Sequence, residues 1–257
     1  MAQAEVTIIV PNYKTLELTQ LCLRSLRLHT DCSRIKVIVI DNDSADASVE
    51  YLRTLNWITL VERKNTGESG PVMHTKALDQ AMAMVDTPLV LVIHTDTIVI
   101  HDQWLDFLLD KIYADPQIAG VGSWKLEHVS QLKLFFKRIE TNIRRLLGRK
   151  IVDREHYFRS HCALYKTAAV RETDGFCDPD SAGIRLFNTL RDKGYKLPFI
   201  ASEELSKYIR HLNHATMILN PTEASRKSSK PSKLRALKAE LKKLHSAEIL
   251  QDDSLDR

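Results

Sequence analysis

Four short runs of apolar, mostly β-branched residues recur along the first part of the chain, at 6–10, 36–40, 58–61 and 89–93. Each is too short for a helix and shows little polar alternation, the pattern of strands covered on both faces. The segments between them change period. Leu18, Leu21, Cys22, Ser25 and Leu26 fall at helical spacing, as do Val49 and Leu52, the stretch 71–85, and Leu105, Leu108, Leu109 and Ile112. Thr15 and Asp46 stand where N-caps are needed, Pro71 fits a first turn, and Asp115-Pro116 stops the fourth helix. Strand and helix alternate four times, which predicts right-handed βαβ units and an α/β fold: a mostly parallel sheet with helices on both faces.

Ligands of such sheets bind beyond the carboxyl ends of the strands. The segments there are Pro11-Asn12-Tyr13, Asp41-Asn42-Asp43-Ser44, Asn65-Thr66-Gly67 and His94-Thr95-Asp96-Thr97. All are polar, and they are expected to converge on one edge. Asp and Asn are also ordinary turn residues, so each segment alone is equally a strand-ending turn.

Past Val121 the alternation breaks. Residues 131–150 read as one basic helix, 160–165 as a strand, 181–193 as a helix ending at Gly194, and 196–200 as extended chain. Residues 221–232, rich in Ser, Lys and Pro, read as a linker. Leu234, Leu237, Leu241 and Leu244 then mark a last amphipathic helix before a polar tail. The expected organisation is a domain over 1–220, with halves at 1–125 and 126–220, followed by a linker and basic helix over 221–257.

Composition changes this picture in two ways. At 257 residues, 44% hydrophobic and 27% charged, the chain has the make-up of a globular protein. Its start lacks the basic and apolar parts of a signal peptide, and no apolar run reaches the ~20 residues that span a bilayer. The four cysteines lack paired spacing and read as thiols, so a cytoplasmic location is expected. The net charge of +4 is uneven: 131–150 carries +6, 226–243 carries +7, and the remainder −9. No nucleic-acid-binding module surrounds the basic segments, so nucleic acid is not an expected partner. Leu132, Phe135, Phe136, Ile139 and Ile143 lie among the first group of cations and leucines among the second, a mixture suited to an anionic membrane surface. Homo-oligomer formation is the competing use.

Taken in order, Val6-Thr7-Ile8-Ile9-Val10-Pro11-Asn12-Tyr13, Val39-Ile40-Asp41-Asn42-Asp43-Ser44, Asn65-Thr66-Gly67 and Thr95-Asp96-Thr97 resemble the family 2 glycosyltransferases over roughly residues 5–125, and more loosely to about 200. The resemblance implies a GT-A-type fold, a nucleotide-sugar donor, and inverting transfer to a glycan or lipid-linked acceptor. Together with the basic segments it implies a setting in bacterial cell-surface polysaccharide or lipopolysaccharide synthesis, at the cytoplasmic face of the inner membrane. It makes Pro11, Asn12, Tyr13, Asp41, Asn42, Asn65, Gly67, His74, Thr95 and Asp96 the expected donor-binding residues, with Asp41 on the base. It makes Asp96 the last acid of a metal-binding DxD motif, where Mg2+ or Mn2+ would neutralise the leaving diphosphate. His94 replaces the first acid; His94 and a late histidine, His211, are further candidate ligands. For the general base, the acids before a helix ending in Gly194-Tyr195 are Asp178 and Asp180; Asp180 is favoured because Pro179 stiffens the loop that presents it, and it stands equally well as that helix's cap. A non-catalytic sugar-nucleotide-binding or scaffold domain is the alternative. A nucleotidyltransferase is disfavoured because no Gly-rich, cation-bearing loop follows the first strand.

Overall fold

The computed structural model describes residues 3–64, 67–124, 156–176, 183–213, 215–219 and 231–257. The basic segment 131–150, Asn65, Asp180 and most of the expected linker lie outside them. In chain order the first elements are β1 (Val6–Asn12), α1 (Leu16–His29), β2 (Ile35–Asn42), α2 (Ala47–Thr54), β3 (Ile58–Arg63), α3 (Gly70–Met82) and β4 (Leu89–Ile93). There follow β5 (Thr97–Val99), α4 (Trp104–Tyr113), β6 (Gly120–Gly122), β7 (Cys162–Lys166), α5 (Thr167–Arg171), α6 (Ile184–Asp192) and α7 (Ser202–Leu205). The chain closes with β8 (Ile209–His211), α8 (Ala215–Leu219), α9 (Pro231–Lys243) and α10 (Ser246–Gln251).

A six-stranded sheet in the order β3-β2-β1-β4-β7-β6 forms the centre. β1 through β4 are parallel, and β7 runs antiparallel to both β4 and β6. Successive side chains on a strand point to opposite faces, and the core divides accordingly. Ile8, Val10, Val37, Val39, Leu91 and Leu164 pack toward α1, α2 and α4. Ile9, Ile38, Ile40, Val90, Val92 and Tyr165 pack toward α3, α5 and α6. Each fully buried Leu or Ile on these faces contributes about 1.5–3 kcal/mol relative to exposure, which fixes the strand register.

Several local expectations are refined. Thr15 is the N-cap of α1, but its hydroxyl makes no capping bond; it joins Thr19 and Thr95 instead. Asp46 does cap α2, accepting from Ser48 N. The helix read as 71–85 ends at Met82. The strand read as 160–165 begins at Cys162, which releases Ser160 and His161 into the loop before it. α6 ends in a tight turn: Gly194, at φ +88°, lets Gly194 N reach Arg191 O and Tyr195 N reach Leu190 O.

The largest departure is at the C-terminus. Pro231 and Ser232, read as linker, open α9. Leu237 and Leu241, read as lipid-facing, are buried in the core, which leaves the cations of α9 on its outer side. The polar tail is folded too. α10 and a closing turn at Asp253–Asp256 pack on α1, where the guanidinium of buried Arg24 meets Asp253 and Asp256. No helix among the described residues is long and apolar enough to cross a membrane.

Candidate active site

The parallel register sets Asn12 beside Asp41 at the carboxyl ends of β1 and β2. Asp41 is buried. Its Oδ1 accepts from Asn12 Nδ2 at 2.7 Å and from the Ser44 hydroxyl, and its Oδ2 accepts from Ser44 N at 3.0 Å. Asn12 is wholly buried and also donates to Ser48 Oγ at 3.0 Å while its Oδ1 accepts from Thr19 Oγ1 at 2.6 Å. The Asn12 amide is thus engaged in internal hydrogen bonds, one of which holds Asp41. Buried Asn42 likewise presents Oδ1 to Arg63, at 3.2 Å, and so orients a cation that also pairs with Glu68. Beside them a cleft of about 350 Å³ opens between α2 and the ends of β2 and β3, lined among others by Asp41, Asp43, Val49, Arg63 and Lys64. Pro11, near the end of β1, and Tyr13, just past it, are partly exposed, and Gly67, at φ +86°, is exposed in the loop after β3.

The second cluster follows β4. β5 pairs with β8, and the register Thr97↔His211 carries a residue from far along the chain to Asp96. His211 Nε2 lies 3.2 Å from Asp96 Oδ1, and His94 Nδ1 lies 3.8 Å from the same oxygen. One ligand atom from each of His94, Asp96 and His211 falls within 4.8 Å of the other two. Asp96 Oδ1 and His211 Nδ1 are buried without a hydrogen-bond partner among the described residues. Native proteins rarely leave such atoms orphaned, and a bound cation is one remedy. The set of two imidazoles and one carboxylate suits a transition ion such as Mn2+ better than Mg2+, which favours hard oxygens.

The surroundings support these ligands. His94 Nε2 contacts Ser160 Oγ at 2.8 Å, and the same hydroxyl reaches His74 Nε2 at 3.3 Å. His161 stacks on His211 with ring centroids 4.6 Å apart and bonds Ser123 Oγ through Nε2 at 2.9 Å. Burial pushes His74 down to about 4 and also lowers His94 and His161, so these rings are neutral at neutral pH. Burial works to raise the Asp96 carboxyl, but the adjacent His211 outweighs it and holds it below the usual carboxylate range. Neutral imidazoles beside a carboxylate are the protonation states a metal requires.

A hydrogen-bond chain joins the two clusters: Asp41 to Asn12, Asn12 to Thr19, Thr19 to Thr15 at 3.3 Å, and Thr15 to Thr95 at 3.4 Å. Thr95 is buried and takes part through this link rather than by facing the cleft.

This succession of strand ends matches a known sequence profile, described as "Glycosyl transferase family 2", over residues 7–173. The chain belongs to that family. A comparison with curated proteins gave no match. Among solved structures, this glycosyltransferase resembles a mannosyltransferase from Pyrobaculum calidifontis determined with GDP-mannose and Mn2+. The TM-score there is 0.58 and the identity 17%, over 98% of this chain and 71% of that one. It also resembles residues 1–349 of TarS from S. aureus, with a TM-score of 0.52 and 16% identity, over 80% of this chain and 59% of that one. At such identities the likeness establishes the GT-A-type fold.

Of the residues expected in the glycosyltransferase site, the structure gathers Asp41, Asn42, Thr95, Asp96, His94, His74 and His211 at one sheet edge. Asn65 and Asp180 lie outside the described residues. Sequence reasoning named Ser44 in a strand-end segment and Thr15 as a cap without giving either a role in the site, and it missed Thr19, Ser48, Arg63, Ser160 and His161. For Thr15 and Thr19 a signal existed: two hydroxyls four residues apart, at the N-cap of α1 and on its buried face.

Proposed function

We propose that this glycosyltransferase moves a sugar, with inversion, from a nucleotide-sugar donor to a glycan or lipid-linked acceptor. The carrying observation is the convergence of His94, Asp96 and His211 beside the Asp41 cleft. The nucleoside occupies the cleft, where Asp41 is aimed by Asn12 and Ser44. The diphosphate lies toward Asp96. His94, Asp96 and His211 would hold a divalent ion, which when bound supplies positive charge to the departing diphosphate. The acceptor hydroxyl oxygen attacks the anomeric carbon from the face opposite the diphosphate. The bond from that carbon to the diphosphate oxygen breaks, its electron pair leaves with the nucleoside diphosphate, and Asp180 takes the hydroxyl proton.

The setting proposed is bacterial cell-surface polysaccharide or lipopolysaccharide assembly, with the enzyme docked on the cytoplasmic face of an anionic membrane. The uneven charge supports this, since each basic residue near such a surface contributes about 1 kcal/mol. With Leu237 and Leu241 in the core, α9 offers charge rather than apolar insertion, so attraction through it is screened by salt.

Calorimetry with UDP-, dTDP- and GDP-sugars in the presence of Mn2+, with nucleoside diphosphate release measured alongside, tests the reaction. Asp180→Asn should abolish release and leave donor binding intact. Donor binding without release, whatever the acceptor, would instead favour a non-catalytic binding domain. Flotation with anionic and neutral liposomes tests the docking, which fails if anionic vesicles are ignored at low salt.

A further inference from the structure

The sheet order lays the site out along one edge. The nucleoside cleft lies at β2 and β3, the His94–Asp96–His211 cluster follows β4, and the next strands are β7 and β6. β7 is antiparallel to β4, with Ile93 opposite Cys162, so the loop entering β7 lies at the same edge as the end of β4. β6 leaves at that edge too, with Gly122 opposite Ala163. Ser123 and Trp124 therefore meet residues 156–161 just beyond the metal-ligand cluster, on the side away from the nucleoside.

Arg159 stands out there. Its guanidinium lies 5.2 Å from the Trp124 ring centroid and 5.3 Å from that of Tyr157, and donates to the Tyr157 hydroxyl. Its backbone N is fixed to Ser123 O at 3.0 Å. No carboxylate among the described residues pairs with it. Arg24, Arg34, Arg53, Arg63 and Arg185 meet acids, and Arg171 and Arg210 meet backbone carbonyls, whereas the partners of the Arg159 guanidinium are aromatic. Next to it Trp124 is partly exposed, and His156 and Phe199 are exposed. The Trp124 and His156 rings are 4.9 Å apart and those of His156 and Phe199 6.5 Å. An aromatic shelf with an uncompensated guanidinium at its edge is suited to a ring with one apolar face and an anionic substituent.

We infer that Trp124 and Arg159 form the acceptor subsite, and that the acceptor's terminal sugar carries an anionic group, carboxylate or phosphate, held by Arg159. The inference rests on the proposed transfer reaction and adds to it the class of acceptor. The segment 156–161 thus does two things: Arg159 reads the acceptor while Ser160 steadies His94, one residue apart.

The test is ligand-observed NMR with glucose, glucuronate and glucose 6-phosphate, on protein loaded with nucleoside diphosphate and Mn2+. Wild type should bind at least one charged sugar roughly tenfold more tightly than glucose. Comparison of glucuronate with glucose 6-phosphate tells carboxylate from phosphate. Arg159→Gln should erase the preference, Arg159→Lys should keep part of it with the fold intact, and Trp124→Ala should weaken all three sugars. Equal binding of charged and neutral sugars, no binding of either charged sugar, or a preference that survives Arg159→Gln overturns the inference. So does an Arg159→Gln variant whose loss falls on the nucleoside diphosphate instead. Nucleoside diphosphate affinity, titrated on the same samples, tests the donor site separately.

Discussion

The C-terminal tail should be held by one buried guanidinium, and its two carboxylate partners should be unequal. Arg24 is 2% exposed; its Nε donates to Asp256 Oδ1 at 2.9 Å, its Nη2 to Asp256 Oδ2 and Asp253 Oδ1 at 2.5 Å each, and its Nη1 to the carbonyls of Leu250 and Ile249. Asp256, 20% exposed, also accepts from Tyr51 Oη at 2.7 Å, whereas Asp253 is 86% exposed. Removing one partner of a buried pair costs about 3–5 kcal/mol, and water can reach Asp256, so Arg24→Met should cost about 3 kcal/mol. Asp256→Asn keeps some hydrogen bonds and should cost about 1–2 kcal/mol. Asp253→Asn should cost well under ~1 kcal/mol, because an exposed charge is screened. Deleting 246–257 strands Arg24 without a counter-charge and should cost more than Arg24→Met. The sign with pH follows from Asp256. Burial works to raise its carboxyl, but Arg24 and Tyr51 outweigh burial and hold it below its ordinary value. That stabilisation is therefore full above the unfolded carboxylate pKa of about 3.9 and is lost as pH falls through the lower folded value. The gap between wild type and Arg24→Met should be constant from neutral pH to about 5 and close below about 4. Urea unfolding followed by circular dichroism at several pH values measures this. Equal costs for the Asp253 and Asp256 variants, or an Arg24→Met variant as stable as wild type at pH 7, would refute the reasoning.

Three further outcomes are expected. Asp96→Asn should abolish Mn2+ binding in calorimetry, while His94→Asp, by adding a hard oxygen, should narrow the preference for Mn2+ over Mg2+. Gly122→Ala should lower the melting temperature, with a cost of about 1–3 kcal/mol: an added Cβ would lie 2.9 Å from Phe158 Cγ and 3.1 Å from Cys162 O, and neither can yield without moving β7. Asn12→Leu should cost about 2–3 kcal/mol in thermal unfolding, by leaving Asp41 and Thr19 short of partners, and should weaken nucleotide affinity without any direct contact being lost.

The sheet was legible because strands covered on both faces need apolar residues at every position, and four such runs leave little choice of fold. The strand-end loops were legible because in a parallel sheet every such end points the same way. What escaped notice depends on chain reversal. β8 and β5 have three residues each, too short for alternation to register, yet their pairing delivers His211 to Asp96. His211 was reachable through family resemblance and not through spacing. Ser160 was hidden because the strand reads as starting at 160, two residues before β7 does. Arg24 was hidden inside the apolar face of α1, between Leu23 and Leu26, with its counter-charges more than two hundred residues away.

The backbone indicates where order is concentrated. Among the described residues, non-glycine positions with positive φ are Lys14, Asp43, Ala45, Asn213 and His245. The first three lie in the loops after β1 and β2, and Asn213 is two residues past His211. Each such conformation costs on the order of 1–2 kcal/mol and persists only where surrounding contacts overdetermine it. Here those contacts are identifiable: Lys14 N donates to Ser44 Oγ at 3.0 Å, Ser44 N is held by Asp41, and Leu212 N is held by Asp96 O at 2.8 Å. The residues proposed to bind the nucleoside and the metal are thus the same ones that lock the strained turns. The site's geometry is set by the fold before any ligand arrives, and a substitution at Asp41 acts on loop shape as well as on the chemistry of the removed carboxylate, whereas Asp96 holds its turn through the backbone carbonyl and its substitution removes the carboxylate alone.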